Sequence, residues 1–251
     1  MQKKKYNLVL THSFPTNSII LKGLIEFLSD YFNVYFINLP GFTKKVTPMQ
    51  NISIEGYAEF LEKEIKNLHL DKYVLGGISF SHCVVSKTDL DNNCRAIIAM
   101  EPFVNKSALV VKNKELFLFK TTVKVIKLLR LYSYIWKKQY LNKFLKFSNP
   151  EILDIIYREI DPKTFIDTTD LIFSYSDKSW LNKPHILVAN KDDKKVSYSK
   201  NLKLFRENVN DLLVVNTTVE HFPDFMTKDY FRNHISKKTI DKMMEWLDKR
   251  Y

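Results

Sequence analysis

One serine stands where a strand-like segment meets a helix-like segment. Ser79 lies in the pentapeptide Gly77-Ile78-Ser79-Phe80-Ser81, directly after the apolar run Tyr73 to Ile78 and before a helical pattern. A turn this sharp needs small residues two positions on either side of the serine, because a bulky Cβ would collide with the turn. Gly77 meets this requirement fully and Ser81 in part. The pattern predicts an exposed nucleophilic hydroxyl, and the alternative is an ordinary turn rich in small residues.

A serine nucleophile needs a base and an acid, and both residue types follow later strand-like segments. His221 comes after the last apolar run, Leu212 to Val215, and is the candidate base. Asp193 follows the run His185 to Ala189 and is the candidate acid, in preference to its neighbour Asp192. Taken singly, a loop histidine is usually exposed and adjacent loop acids are usually solvated. The order serine, acid, histidine after three strands favours the catalytic interpretation.

Two backbone N–H groups are candidates for stabilising an oxyanion. The segment Thr11 to Pro15 follows the first strand and can aim the N–H of Phe14 across the sheet towards the serine. The N–H of Phe80 directly follows the serine. Such a pair of donors suits the tetrahedral intermediate of acyl transfer. The alternative for the first segment is a simple strand-to-helix loop capped by Ser13.

The identity of the acid has a second alternative. Glu101 ends the strand-like segment that follows Ser79, so its carboxyl group is also expected at the sheet edge. We favour Asp193. This chemistry implies no metal and no cofactor, because a hydroxyl, an imidazole and a carboxylate suffice for acyl transfer to water.

The elements that must position these residues are short apolar runs alternating with helix-length amphipathic segments. This alternation is typical of an α/β domain with a mostly parallel sheet of about six strands flanked by helices. The predicted strands are Asn7 to Thr11, Val34 to Leu39, Tyr73 to Ile78, Ala96 to Met100, His185 to Ala189 and Leu212 to Val215. The predicted helices are Ser18 to Tyr31, Ser53 to Asn67, Ser81 to Thr88, Ser197 to Glu207 and Lys237 to Lys249.

Residues 103–183 interrupt this alternation with helical character, and we call them the insertion. We therefore predict a core of residues 1–102 and 184–251 with a helical cap inserted at 103–183. The second half of the insertion, from Pro150 to Tyr175, predicts two short helices separated near Asp161-Pro162. Its aromatic side chains are candidates for lining a substrate pocket, although packing within the cap is the alternative for most of them. They are Phe103, Phe117, Phe119, Tyr132, Tyr134, Trp136, Phe147 and Trp180.

The net charge of +11 is concentrated in the first half of the insertion. Eleven Lys and Arg residues lie between Phe103 and Phe147 against one acid, Glu115, which accounts for +10 of the total. A lysine-rich solvated face is the favoured explanation. The alternatives are an anionic substrate or an anionic membrane surface at this basic cap. We expect no specific nucleic-acid binding, because no recognition motif accompanies the charge.

The two cysteines, Cys83 and Cys94, provide neither a disulfide framework nor a paired metal-ligand spacing. No apolar run approaches the ~20 residues of a membrane span, and the run from Leu8 to Leu10 is too short for the core of a signal peptide. We therefore expect a soluble cytoplasmic protein with a small-molecule substrate.

Together these features resemble the α/β-hydrolase superfamily over nearly the whole chain, with the insertion at the usual position of a cap. His12-Ser13-Phe14-Pro15 resembles the His-Gly oxyanion loop, and Asn38-Leu39-Pro40-Gly41-Phe42 resembles the Asp-x-Pro-Gly-x segment. The chain departs from the family pattern at four positions. These are Ser13 and Ser81, where glycine is usual, Asn38, where aspartate is usual, and Ile78, where histidine is common.

The resemblance implies a serine hydrolase of the esterase or lipase-like branch that cleaves a carboxylic ester. Ser79 would be the nucleophile, His221 the base and Asp193 the acid. A carbon–carbon bond hydrolase, a thioesterase or an acyltransferase on the same triad are the alternatives. The departures at Ser13 and Ser81 raise a further alternative, a non-catalytic binding protein with the α/β-hydrolase fold. The resemblance argues against the epoxide hydrolase and dehalogenase branches, which have an aspartate where this chain has Ser79.

Overall fold

A computed structural model describes residues 6–111, 113–145, 149–177 and 180–251. Their central feature is one six-stranded sheet in the order β2-β1-β3-β4-β5-β6, in which every pairing is parallel. The prediction of about six, mostly parallel strands is confirmed. The strands are β1 (Tyr6–Thr11), β2 (Phe32–Ile37), β3 (Tyr73–Ile78), β4 (Cys94–Met100), β5 (His185–Asn190) and β6 (Leu212–Thr217).

Eleven helices accompany the sheet within the described ranges. Five of them lie in the insertion, between β4 and β5, four others alternate with the strands, and the last two follow β6. They are α1 (Lys22–Leu28), α2 (Ile54–Asn67), α3 (Ser81–Val85), α4 (Asn113–Leu128), α5 (Tyr132–Ile135), α6 (Lys138–Leu145), α7 (Pro150–Glu159), α8 (Pro162–Ser174), α9 (Tyr198–Asn208), α10 (Lys228–His234) and α11 (Lys237–Asp248). The division into a core and a cap stays a prediction.

Both faces of the sheet are buried, which explains why the strand segments are almost continuously apolar. Successive side chains of a strand point to opposite faces. On β1, Val9 packs in the core that includes α2, whereas Leu8 and Leu10 pack in the core that includes α1 and α11. If a strand slipped by one residue, each of its side chains would move to the opposite face of the sheet. The register is therefore fixed, and the carboxyl ends of the strands stay aligned along one edge.

Two elements near the amino terminus differ from their predicted bounds. Asn17 accepts hydrogen bonds from the N–H groups of Ile19 and Ile20 through its side chain, at 3.0 and 3.1 Å. This turn delays the start of α1 to Lys22, four residues after the predicted start. The strand β2 ends at Ile37 rather than Leu39, because the N–H of Leu39 donates to His12 Nε2 at 2.9 Å instead of to a neighbouring strand.

In the insertion, the predicted separation of two helices near Asp161-Pro162 is confirmed. Asp161 is the N-cap of α8 and accepts the N–H of Thr164 at 2.7 Å, while Pro162 occupies the first turn. The acidic second half also pairs with the basic first half. Lys127 of α4 contacts Asp170 of α8 at 2.6 Å, and Lys138 contacts Asp154 of α7 at 2.6 Å.

Gly41 joins the core to the insertion. Its φ of 81° lies in the left-handed region that favours glycine, and a Cβ there would lie 2.1 Å from Thr164 Oγ1. The Gly41 carbonyl also accepts the N–H of Asp161 at 2.9 Å. The segment that resembles Asp-x-Pro-Gly-x thus anchors the start of α8. Each of the described helices is too short or too polar to span a membrane.

Candidate active site

The turn between β3 and α3 presents Ser79 in a strained conformation. Ser79 has a φ of 48°, and its N–H donates to the carbonyl of Met100 at 2.9 Å. A Cβ on Gly77 would lie 3.1 Å from the backbone nitrogen of His82 and 3.0 Å from Val85 Cγ2. A side chain at position 77 would therefore crowd the first turn of α3. The turn also holds a non-glycine residue at position 79 in a conformation that costs free energy.

Ser81, which stands where the family pattern has glycine, is accommodated by hydrogen bonds. Its hydroxyl accepts the N–H of Ile78 at 2.8 Å and lies 3.0 and 3.2 Å from the carbonyl oxygens of Ile78 and Thr11. The side chain is fully buried. The buried hydroxyl thus has hydrogen-bond partners within the turn, which is why a serine is tolerated at this position.

Three side chains that are distant in the sequence meet above the carboxyl edge of the sheet. Ser79 Oγ lies 2.8 Å from His221 Nε2, and His221 Nδ1 lies 2.8 Å from Asp193 Oδ2. The side chains of His221 and Asp193 are only 5% and 1% exposed. The structure thus brings the predicted nucleophile, base and acid into one hydrogen-bonded chain, with the imidazole between the hydroxyl and the carboxylate.

Asp193 is held by the loop after β5. Its Oδ1 accepts the N–H groups of Lys195 and Val196 at 2.6 and 3.1 Å. Burial pushes the pKa of Asp193 upwards, but these bonds and the interaction with His221 outweigh it and lower the pKa below its usual value. The neighbouring Asp192 instead donates its backbone N–H to the side chain of Asn190. Asp193 is therefore the ionised carboxylate that faces the imidazole.

Glu101, the rival acid, lies beside the other members of this site. Its carboxyl oxygen, one from Asp193 and a ring nitrogen of His221 all lie within 4.8 Å of one another. Burial, the charge of Asp193 and a hydrogen bond to Asp193 raise the pKa of Glu101 to about 9. Glu101 is thus a neutral acid at neutral pH. The three groups are close enough to share a cation, but both nitrogens of His221 already have partners in Asp193 and Ser79.

The loop after β1, which carries the candidate oxyanion residue Phe14, is held by the buried side chain of His12. The sequence placed His12 in this loop but did not indicate its hydrogen bonds. His12 Nδ1 lies 3.0 Å from the carbonyl of Ser13, and Nε2 accepts the N–H of Leu39 at 2.9 Å. Burial lowers the pKa of His12 to about 4, so the ring is neutral and can serve as donor and acceptor at once. His12 thus links the loop that carries Phe14 to the loop after β2.

A cavity of about 370 Å³ opens over Ser79 and His221. Phe14 and Phe80, the two candidate oxyanion residues, are in its wall. Phe80 is also the N-cap of α3, where backbone N–H groups are free of helical hydrogen bonds. The other lining residues are Pro15, Phe103, Leu109, Val110, Val111, Phe119, Leu145, Thr169, Ile172, Phe173, Lys194, Lys195, Val196 and Phe222.

Two of the predicted aromatic residues, Phe103 and Phe119, line this cavity. Phe117 is 73% exposed, Trp180 packs against Phe205, and Phe147 lies outside the described residues. The sequence did not indicate the segment Leu109 to Val111 or the side chains of α8 as lining residues. Helical periodicity shows which residues share a face, but it does not show what that face covers.

Comparison with solved structures places this architecture among known folds. A hydrolase from Oleispira antarctica superposes with a TM-score of 0.73 at 14% identity, covering 96% of this chain and 92% of its own. The chain has the α/β-hydrolase fold. A thermophilic esterase from Thermogutta terrifontis gives a TM-score of 0.65 at 16% identity, covering 98% of this chain and 90% of its own.

An enol-lactonase from Burkholderia xenovorans LB400 gives a TM-score of 0.66 at 12% identity, covering 98% of this chain and 92% of its own. No protein-family model and no curated protein sequence matches the chain. At these identities the similarity establishes the α/β-hydrolase fold, whereas function must be argued from the site.

Proposed function

We propose that this protein is a serine hydrolase that cleaves carboxylic esters, with Ser79, His221 and Asp193 as its catalytic triad. The observation that carries the proposal is the pair of 2.8 Å hydrogen bonds that join Ser79 Oγ to His221 Nε2 and His221 Nδ1 to Asp193 Oδ2. The esterase and lactonase activities named for similar folds support the same class of reaction.

The geometry assigns each group a step. His221 Nε2 takes the proton of Ser79 as the hydroxyl attacks the ester carbonyl, and it returns that proton to the departing alcohol. Water then attacks the acyl-serine by the same route, with the imidazole again as base. Asp193 is ionised and hydrogen-bonded to Nδ1, so it fixes the tautomer that leaves Nε2 free to accept.

The backbone N–H groups of Phe14 and Phe80 would stabilise the negative charge on the carbonyl oxygen. Loss of a single such donor costs roughly 2.7–4 kcal/mol in enzymes where one has been removed. Phe14 is a suitable donor because His12 fixes its loop, and Phe80 is suitable because it is the N-cap residue of α3. Backbone donors of this kind need no reorganisation when the charge develops.

Hydrolysis of p-nitrophenyl butyrate tests this function. We expect wild-type protein to release p-nitrophenol catalytically and Ser79→Ala to lower kcat by at least about 10⁴-fold, as loss of a triad serine does elsewhere. Ser86→Ala is the matched control, because Ser86 is also a buried serine near α3 but donates only to the carbonyl of His82. Equal rates for Ser79→Ala and wild type would refute the role of Ser79.

One feature favours a second candidate within the same chemistry. Lys194 and Lys195 line the cavity beside Ser79 and could attract an anionic group on the substrate. A thioesterase or acyltransferase acting on an anionic carrier would use this arrangement. A panel of neutral esters against anionic thioesters of the same acyl group distinguishes the two, since Lys195→Gln would lower kcat/KM only for the anionic substrates.

A further inference from the structure

A second cavity, of about 380 Å³, lies among helices α4, α5, α6 and α8 of the insertion. Phe119 of α4 and Thr169 of α8 line this cavity and also line the one over Ser79. The two spaces therefore share a wall. Of the side chains that the structure describes, Phe119 and Thr169 are those that border both spaces, so an elongated ligand with its reacting group at Ser79 would extend past them to enter the second cavity.

The wall of the second cavity suits a hydrocarbon. Among the described residues, none that lines it carries a charge, and most of them are aliphatic or aromatic. The hydroxyl of Thr169 already donates to the carbonyl of Phe165 at 2.8 Å, and the indole N–H of Trp136 donates to the carbonyl of Tyr157 at 3.1 Å. Three further hydroxyl groups, those of Thr122, Tyr134 and Tyr140, also line the cavity. A polar ligand group would therefore find few partners among the mostly apolar side chains, and its burial there is unfavourable compared with that of a hydrocarbon.

We propose that the second cavity binds the distal part of a straight acyl chain whose ester carbonyl lies at Ser79. The proposal rests on the proposed ester hydrolysis and specifies its substrate class as esters of medium to long unbranched acids. The cavity over Ser79 carries the polar end of the site, with Ser79, His221, Lys194 and Lys195, whereas the described residues that line the second cavity are uncharged and mostly apolar. This division matches a molecule with one reactive polar end and one hydrocarbon tail.

Acyl chain length is the first measurement. Each methylene that leaves water for an apolar site raises kcat/KM about fourfold when its burial is retained in the transition state. We expect kcat/KM for p-nitrophenyl decanoate to exceed that for the butyrate by at least tenfold. Lengthening the alcohol of an alkyl butyrate should not produce this gain. A gain from the alcohol chain alone would assign the cavity to the leaving group and overturn the proposal.

A filling substitution tests the cavity itself. Val123 is buried and lines the second cavity but not the first, so Val123→Phe should occupy the space of the tail. We expect the decanoate-to-butyrate ratio of kcat/KM to fall at least tenfold. Val125→Phe is the matched control on the same helix, because Val125 is 45% exposed and lines neither cavity. An equal ratio in the two variants contradicts the proposal.

A binding measurement separates this proposal from the catalytic one. In Ser79→Ala, 12-bromododecanoic acid should quench the fluorescence of Trp136, which lines the second cavity. The quenching should disappear in Ser79→Ala/Trp136→Phe, since Trp180 and Trp246 line neither cavity. Quenching without ester hydrolysis by wild type would refute the proposed function and keep the binding site. Hydrolysis of butyrate without quenching or a chain-length gain would refute the binding site and keep the function.

Discussion

Replacing Glu101 by glutamine should stabilise the protein, and the gain should grow as the pH rises. Glu101 is 7% exposed, and burial together with the charge and hydrogen bond of Asp193 raises its pKa to about 9 from a usual value of 4.5. Above pH 4.5 the glutamate ionises in the unfolded chain while it keeps its proton in the folded one. The unfolded state then binds fewer protons, so a rise in pH favours unfolding.

The magnitude follows from this difference in proton binding. One proton retained only by the folded state costs up to about 1.4 kcal/mol for each pH unit between the two pKa values. From pH 5 to pH 8 the free energy of unfolding of wild type should lose up to about 4 kcal/mol relative to Glu101→Gln. Glutamine cannot ionise, and its amide can still donate a hydrogen bond to Asp193.

Urea unfolding at pH 5, 6, 7 and 8 measures the effect, with the free energy of unfolding extrapolated to water for each protein. The difference between Glu101→Gln and wild type should increase with each step. Glu245→Gln, on the exposed side of α11, is the control and should follow wild type at every pH. Parallel curves for Glu101→Gln and wild type would refute the argument that Glu101 is protonated at neutral pH.

Other predictions concern the join to the insertion and the buried histidines. Gly41→Ala should lower the free energy of unfolding by about 1–3 kcal/mol or more, because of the positive φ and the clash with Thr164. Gly56→Ala is the control: its Cβ meets only the flexible end of Met49 at close range, so the free energy of unfolding should change by less than about 1 kcal/mol. Equal melting temperatures for the two variants would contradict this prediction. Burial lowers the pKa of His82 to about 3 and those of His12 and His185 to about 4. The stability that these neutral histidines contribute is present above pH 6.5 and is lost as the pH falls towards their lowered pKa values. His82→Phe should therefore lose less free energy of unfolding than wild type when the pH falls from 7 to 5, as measured by urea unfolding. The same loss in both proteins would count against this prediction.

The sequence was informative about the site because parallel strands bring their carboxyl ends to one edge. Ser79, Asp193 and His221 each follow a strand, so their positions in the chain were enough to predict that they would lie near each other. The apolar runs predicted the strands because both faces of this sheet are buried, so that nearly every strand position is apolar. Only short-range patterns and the rules of sheet topology were needed.

Properties that depend on the three-dimensional surroundings of a residue could not be predicted from these sequence patterns. The protonation of Glu101 depends on its burial and on Asp193, which is 92 positions away in the sequence. The link from His12 to Leu39 ends β2 early, and neither residue type indicates it. The helix α10 was missed because it is short and follows an irregular segment. The lining of both cavities depends on how α4 and α8 pack, which periodicity within each helix does not show.

Labelling with a fluorophosphonate tests the central claim most directly, because this reagent forms a stable adduct with an activated serine far faster than with an ordinary one. We expect one adduct per chain, located by mass spectrometry on the peptide that contains Ser79, with labelling abolished in Ser79→Ala and strongly slowed in His221→Ala. Failure of wild-type protein to react, or an adduct that persists in Ser79→Ala, would contradict the account.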